Sequence, residues 1–233
     1  MILEVQNISK RYGTQQAVGG VTFSVARGEI VGFLGLNGAG KTTTMQMIAG
    51  SLPPDTGQVR IAGVDLRQEP VKARFSIGFL PEDNPLYGEM YVAEYLEYVA
   101  GLYALKDAKE RVKEVIRQTG LSPEAHKKIE QLSKGYKQRT GLAQAIIHQP
   151  RLLLLDEPAA GLDPEQTGEI HSLLLALSEN RGILLSTHSL AEAAAVCTRI
   201  LFIHKGKIAG DYPEKEIKDL EALFKERTKT HST

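Results

Sequence analysis

Ile30-Val31-Gly32-Phe33-Leu34-Gly35-Leu36-Asn37-Gly38-Ala39-Gly40-Lys41-Thr42 is the stretch on which the reading of this chain turns. The apolar run after the turn Arg27-Gly28-Glu29 predicts a buried strand. The next eight residues match G-x-x-x-x-G-K-[ST], in which Gly35, Gly38 and Gly40 let the backbone N–H groups curl around phosphate. Residues 43–49, with Met45, Met47 and Ile48, predict a helix stopped by Gly50 and Pro53-Pro54; its positive end adds to the attraction. Lys41 brings a point charge to the β- and γ-phosphates, and Thr42 offers a hydroxyl to Mg²⁺, which prefers hard oxygen ligands. Leu36, Asn37, Ala39 and Thr43 complete the candidate nucleotide-binding set. The loop by itself means only that some nucleotide is bound, because many unrelated NTPases carry it.

Outward from the loop, residues 2–5 and 20–25 alternate apolar with polar and predict half-buried antiparallel strands; 58–61 and 76–80 predict two more strands. From Tyr91 to about Leu105 and from Asp107 to about Thr119, apolar positions recur at helical spacing with no strand between them, as in a helical insertion. Residues 141–147 continue as a helix until Pro150. Strands at 152–155, 183–186 and 200–203 then alternate with helices at 165–177 and 190–196, the pattern of a parallel α/β sheet. The expected organisation is one domain over 1–213, its core at about 1–90 and 150–213 and its helical subdomain at about 91–149. Beyond it, residues 214–226 put Ile217, Leu220, Leu223 and Phe224 on one helical face, expected to dock on the chain's own domain, and 228–233 should fray.

A length of 233 residues suits one such domain and is too short for two tandem ATPase units. The 28 basic residues balance 28 acidic ones, so no global field draws the chain to nucleic acid or anionic lipid. Cys197, the single cysteine, has no partner for an internal disulfide and reads as a buried small hydrophobe in a reducing compartment. No secretory leader opens the chain, and no apolar run approaches the roughly 18 to 20 residues needed to span a bilayer. Any membrane-spanning part is expected on another chain.

Four more runs follow the phosphate loop in order: Leu132-Ser133-Lys134-Gly135-Tyr136-Lys137-Gln138-Arg139, Leu152-Leu153-Leu154-Leu155-Asp156-Glu157, Gly161-Leu162-Asp163 and Ser186-Thr187-His188. With the loop they resemble the ATPase subunit of ABC transporters, over nearly the whole chain from about Ile2 to about Tyr212. The resemblance implies a fold: an α/β P-loop NTPase of ABC ATPase type, with a RecA-like parallel sheet core, an antiparallel β subdomain and an inserted α-helical subdomain. It also implies ATP and Mg²⁺ as cofactors and residue roles. Asp156 would hold the metal with Thr42 and Glu82, and Glu157 would be the general base, a carboxylate within reach of the attacking water. His188 matches a switch histidine that holds the γ-phosphate, and Lys41 and Glu82 join the catalytic set. Tyr12, in Lys10-Arg11-Tyr12-Gly13, stands where such proteins place a ring against adenine.

Ser133, Lys134, Gly135 and Tyr136 match the signature run that caps the γ-phosphate of a partner subunit in a head-to-tail dimer, and Asp163 matches the loop that crosses to that partner. The family more often has leucine, serine, two glycines and glutamine there; Ser133 and Gly135 match and Lys134 and Tyr136 depart, yet the Ser133 hydroxyl and the N–H groups at the head of a helix remain. Glu82 replaces a usual glutamine, keeping an oxygen ligand and adding charge. Residues 83–90 are expected to line the groove that receives a membrane subunit, with the ATPase peripheral at the cytoplasmic face. Leu80-Pro81-Glu82 and the run from Leu132 resemble the ABC-2-type exporter branch, which includes multidrug, copper-processing and gliding-motility systems. Two alternatives stay open: a soluble ABC ATPase of DNA repair or translation, and a nucleotide-binding regulator that does not hydrolyse. The absence of a coiled-coil insertion opposes the first, and intact Lys41, Asp156, Glu157 and His188 oppose the second.

Overall fold

Strands β7 (Leu152–Asp156) and β8 (Gly182–Thr187) are buried at every position, as is β3 (Ile30–Leu34). Successive side chains of a strand point to opposite faces, so an unbroken apolar run requires a core on both sides. The structure has two such cores. Ile30, Leu34, Leu153, Leu155, Ile183 and Leu185 face one; Val31, Phe33, Leu152, Leu154 and Leu184 face the other. The first core is shared with helices α3 (Val92–Leu102), α4 (Ala108–Gln118), α5 (Lys134–Ile146), α6 (Pro164–Ser178) and α7 (Leu190–Val196). The second is shared with α1 (Lys41–Ala49) and with an antiparallel sheet of β1 (Leu3–Tyr12), β2 (Gln15–Val25), β4 (Thr56–Ile61) and β5 (Val64–Asp65). This is a computed structural model, and it describes residues 1–213; the expected amphipathic helix at 214–226 and the tail at 228–233 lie outside the described residues.

The main sheet runs in the order β10-β9-β3-β8-β7-β6, with β6 (Ile77–Leu80), β7, β8, β3 and β9 (Arg199–His204) parallel and β10 (Lys207–Pro213) antiparallel at one edge. Parallel strands deliver all their carboxyl ends to one edge, where ligands of such sheets bind. The order β3-β8-β7-β6 therefore lines up the phosphate loop, His188, Asp156-Glu157 and Pro81-Glu82 along that edge. Gly35 and Thr187, far apart in sequence, become hydrogen-bonded neighbours there.

Expected and observed elements differ in instructive places. The first two strands extend to a hairpin that pairs Tyr12 with Gln15 across a turn at Gly13, φ 56°. That tip is polar and exposed, so it carries no apolar alternation to announce it. Edge strand β10, the two-residue β5 and the single-turn helix α2 (Pro70–Arg74) are likewise additions, each with little buried apolar surface. The phosphate-loop helix begins at Lys41 rather than at residue 43. Cys197 is buried as expected, and burial pushes its thiol up to about 12, with the nearby Glu192 charge adding to the effect.

Candidate nucleotide site

After β3 the chain turns at Gly35, whose N–H donates to the Thr187 carbonyl at 3.4 Å. Gly38 and Gly40 take φ of 77° and 103°, in the left-handed region that glycine occupies without penalty. Gly35 is needed for space instead: a Cβ there would lie 2.6 Å from the Ile203 carbonyl oxygen. Helix α1 then starts with no side-chain cap, so the N–H groups of its first turn remain available to an anion. Lys41 is only 7% exposed; its Nζ donates to the carbonyls of Gly35 at 2.8 Å and Leu36 at 3.4 Å. The same ammonium lies 3.7 Å from Glu157 Oε1.

Asp156 ends β7 almost fully buried, its Oδ1 accepting from the Ser186 hydroxyl on β8. Its Oδ2 is buried with no hydrogen-bond partner among the described residues, a costly arrangement for a carboxylate unless a cation serves it. Glu157 follows at φ 52°, a left-handed conformation that costs a non-glycine residue about 1–2 kcal/mol. Its N–H donates to the Ser186 carbonyl at 3.1 Å, while its Oε2 lies 2.9 Å from His188 Nδ1. A buried carboxylate thus stands between an ammonium and an imidazole, and His188 itself is 57% exposed. With Nδ1–H donated to Glu157, the other ring nitrogen of His188 is left to act on a ligand.

These groups border one cleft of about 540 Å³. Of the expected residues, Tyr12, Asn37, Gly38, Gly40, Lys41, Thr42, Thr43, Glu82, Glu157 and His188 line it. Gly35 and Ala39 are buried beneath the loop, Leu36 is on its outer side at 49% exposure, and Asp156 is set back behind Glu157. Gln15, Gln16, Ala17, Ala160 and Lys205 line the cleft without having been singled out in the sequence. The two glutamines come with the unforeseen hairpin tip. Lys205 sits at φ 46° in the turn before β10, and the next residue, Gly206, donates its N–H to the Ala39 carbonyl at 2.9 Å. A Lys-Gly turn between two strands was the available signal for it.

Divalent metal binding fits this donor set. The orphaned Asp156 Oδ2, the Thr42 hydroxyl and the Glu82 carboxylate are all hard oxygens. Among the described residues no three His, Cys, Asp or Glu side chains cluster tightly enough to hold a metal by themselves. Mg²⁺ at nucleotide sites commonly keeps waters and takes phosphate oxygens, so few protein ligands are needed.

The ABC transporter family profile matches residues 18–160, more than half of the chain. The linearmycin resistance ATP-binding protein LnrL of Bacillus subtilis is 37% identical over 210 residues, covering 89% of this chain and 68% of LnrL. A solved structure of the ATP-binding subunit of an ABC transporter superposes with a TM-score of 0.88 at 33% identity, over 98% of this chain and 100% of that one. The chain belongs to the ABC transporter ATP-binding family. It is an ABC ATPase, with the P-loop α/β fold of that family. A dimeric ABC cassette in a post-hydrolysis state bound to ADP and phosphate also superposes, TM-score 0.82 at 25% identity, over 91% of this chain and 98% of its own.

In this ABC ATPase the signature run lies apart from the cleft. Ser133 caps α5, its Oγ accepting from the Tyr136 N–H at 3.4 Å, and none of Ser133, Lys134, Gly135 or Tyr136 lines the cleft of its own chain. Asp163 caps α6 in the same way, accepting from Gln166 N–H at 2.8 Å. The two helix starts pack together: a Cβ on Gly161 would collide with Lys134 Nζ at 2.2 Å, and one on Gly135 would meet Gln166 at 2.9 Å. The Lys134 side chain thus lies over Gly161, which itself takes a φ of 68°. From the segment 83–90, Asn84 and Pro85 line a second groove, of about 330 Å³, with Arg74, Phe79, Tyr103 and His148 on its other sides.

Proposed function

We propose that this chain binds MgATP in the 540 Å³ cleft, hydrolyses it to ADP and phosphate, and thereby drives a separate membrane permease. The observation that carries this reading is the Glu157 carboxylate held between Lys41 and His188 at the mouth of the phosphate loop. The loop N–H groups and Lys41 bind the phosphates, and Tyr12, half-exposed at the cleft, offers a ring face to adenine. Glu157 takes the proton of the attacking water while His188 orients it and holds the γ-phosphate. Asp156, Thr42 and Glu82 would hold Mg²⁺, which neutralises charge on the phosphates. Glu157→Gln tests the assignment: it should bind MgATP, hydrolyse it poorly and accumulate as an ATP-bound dimer in size-exclusion chromatography. Near-normal turnover would remove Glu157 from the role of base.

The signature residues serve a second subunit in this reading. The exposure of Ser133 and Lys134 at the head of α5, outside their own cleft, supports it, as does similarity to a cassette solved as a dimer. Cysteines placed at Ser133 and Gly38 should crosslink between chains only when ATP is added; crosslinks confined within one chain would exclude the head-to-tail arrangement.

No helix among the described residues is long and apolar enough to cross a membrane. The permease is accordingly a separate chain in this reading, and the groove at Asn84 and Pro85 receives it, with the ATPase peripheral at the cytoplasmic face. Residues 91–149 act as a helical subdomain that lines one side of that groove through Tyr103, Gly141 and His148, with Phe79 and Leu80 of the sheet core also lining it. Leu80-Pro81-Glu82 and the similarity to a linearmycin resistance protein favour an ABC-2-type exporter. Co-purification with a neighbouring gene product carrying about six apolar segments of spanning length tests the partnership.

A further inference from the structure

Thr187, the last residue of β8, joins three parts of the site. Its carbonyl accepts from the Gly35 N–H of the phosphate loop, and its chain neighbour is His188. Its side chain is fully buried, and its hydroxyl donates to Glu192 Oε2 on α7. The turn is laced further: Ser189 N–H donates to Thr187 Oγ1 at 3.0 Å, and Glu192 N–H donates to Ser189 Oγ at 3.2 Å. His188 needs such support, because among the described residues its exposed ring has one hydrogen-bonding contact of its own, to Glu157.

Glu192 is 8% exposed, unusual for a carboxyl outside the catalytic centre. Its second oxygen, Oε1, is buried without a hydrogen-bond partner among the described residues and faces His171 Nε2 on α6 at 3.9 Å; that nitrogen is likewise buried and unpartnered among them. Burial raises the Glu192 carboxyl above the usual carboxylate range, with the Glu157 charge adding and the Thr187 hydrogen bond and His188 opposing. Burial lowers the His171 imidazole. A single proton between Oε1 and Nε2 satisfies both orphaned atoms whichever of them carries it, and closing the gap by about 1 Å completes the hydrogen bond.

We propose that Glu192 is a positioning residue for His188, holding the 187–189 turn through the Thr187 hydroxyl, and that His171 is the second anchor of its carboxyl. The inference rests on the ATPase reading of His188. It also ties the His188 turn to α6, the helix capped by Asp163 at the surface assigned to the partner subunit.

The test uses the purified full chain and steady-state hydrolysis of MgATP. Glu192→Ala should lower kcat roughly 10- to 100-fold, the scale of an ångström-size misplacement, with KM changed less than about twofold. Glu192→Gln should recover most of the loss, because its amide can still accept from Thr187 and face His171. His171→Ala should lower kcat by a smaller factor. Added to His188→Ala, Glu192→Ala should cost no more than about twofold, since a residue acting through His188 has nothing left to position. Thr187→Val, which replaces the hydroxyl with a methyl group and so removes its bonds to Glu192 and the Ser189 N–H, carries the same kcat prediction should Glu192→Ala fail to fold. Wild-type kcat in Glu192→Ala or Thr187→Val, no recovery with Gln, or a full multiplicative loss in the His188→Ala background would overturn the proposal. Wild-type kcat in His171→Ala removes the second anchor. Wild-type kcat in His188→Ala alone would instead overturn the ATPase reading of that histidine, so the two failures are distinct.

Discussion

The cleft at the carboxyl edge of β3, β7 and β8 and the surface around Ser133 and Asp163 contain similar chemical groups in opposite states. In the cleft, Lys41 and Glu157 are each 7% exposed and each has partners within the same chain. Around Ser133 the groups are exposed, and the Ser133 hydroxyl and Asp163 carboxylate cap the helices they begin. Lys134 makes no ion pair among the described residues. Burial and mutual bonding fix a geometry in advance, which is what a reaction centre needs. Exposed helix heads are fixed by their caps but lack a charge to serve. In the proposed reading, one region is a nearly complete half of a site, and the other is the half offered to a second subunit.

The comparison breaks most sharply at the buried region. Glu157→Gln should lower kcat by roughly 10²- to 10⁴-fold while MgATP still binds. Lys41→Ala should weaken nucleotide affinity as well as turnover, because it removes a contact made in the ground state too; titration calorimetry showing unchanged binding would disprove the assigned use of the loop. At the exposed region, Ser133→Arg should leave the affinity of the isolated subunit for ATP near normal and abolish ATP-dependent dimerisation, measured by light scattering. A mixed dimer sharpens the point. Pairing a Lys41→Ala subunit with a Ser133→Arg subunit places both lesions in one composite site and leaves the other intact, so hydrolysis should survive there; if each chain worked alone, both sites would be damaged and no hydrolysis would remain. Smallest is Asp163→Ala, which should cost about 1 kcal/mol of stability in urea unfolding through the lost cap of α6.

The phosphate loop was legible in the sequence because an unbroken apolar run, a fixed glycine spacing and a helix signal coincide over thirteen residues. Asp156 and Glu157 were legible for the related reason that carboxylates terminate another such run. Gly35 was read for its conformational freedom, whereas the structure requires it for its closeness to Ile203. What stayed hidden depends on contacts between distant segments. Gln15 and Gln16 reach the cleft on a polar hairpin, and Lys205 reaches it on a turn bonded to Ala39. Glu192 and His171 look like polar positions on amphipathic helices, and only packing shows that their side-chain atoms face each other in the interior. Edge strand β10 has too little buried surface to impose an alternating pattern.

Strand β3 has consequences for how the chain is made. It carries the phosphate loop, yet its two neighbours are β8, pairing Ile30 with Ile183, and β9, pairing Val31 with Arg199. A nascent chain that has not yet emerged past Gly182 contains the whole loop and no strand to hold it in line. Contacts of such sequence separation form slowly, because the intervening chain must lose its freedom first. The nucleotide site can therefore be completed only after β8 and β9 have emerged, and an amino-terminal fragment bearing the intact glycine-rich motif lacks both strands that hold the loop's own strand in line.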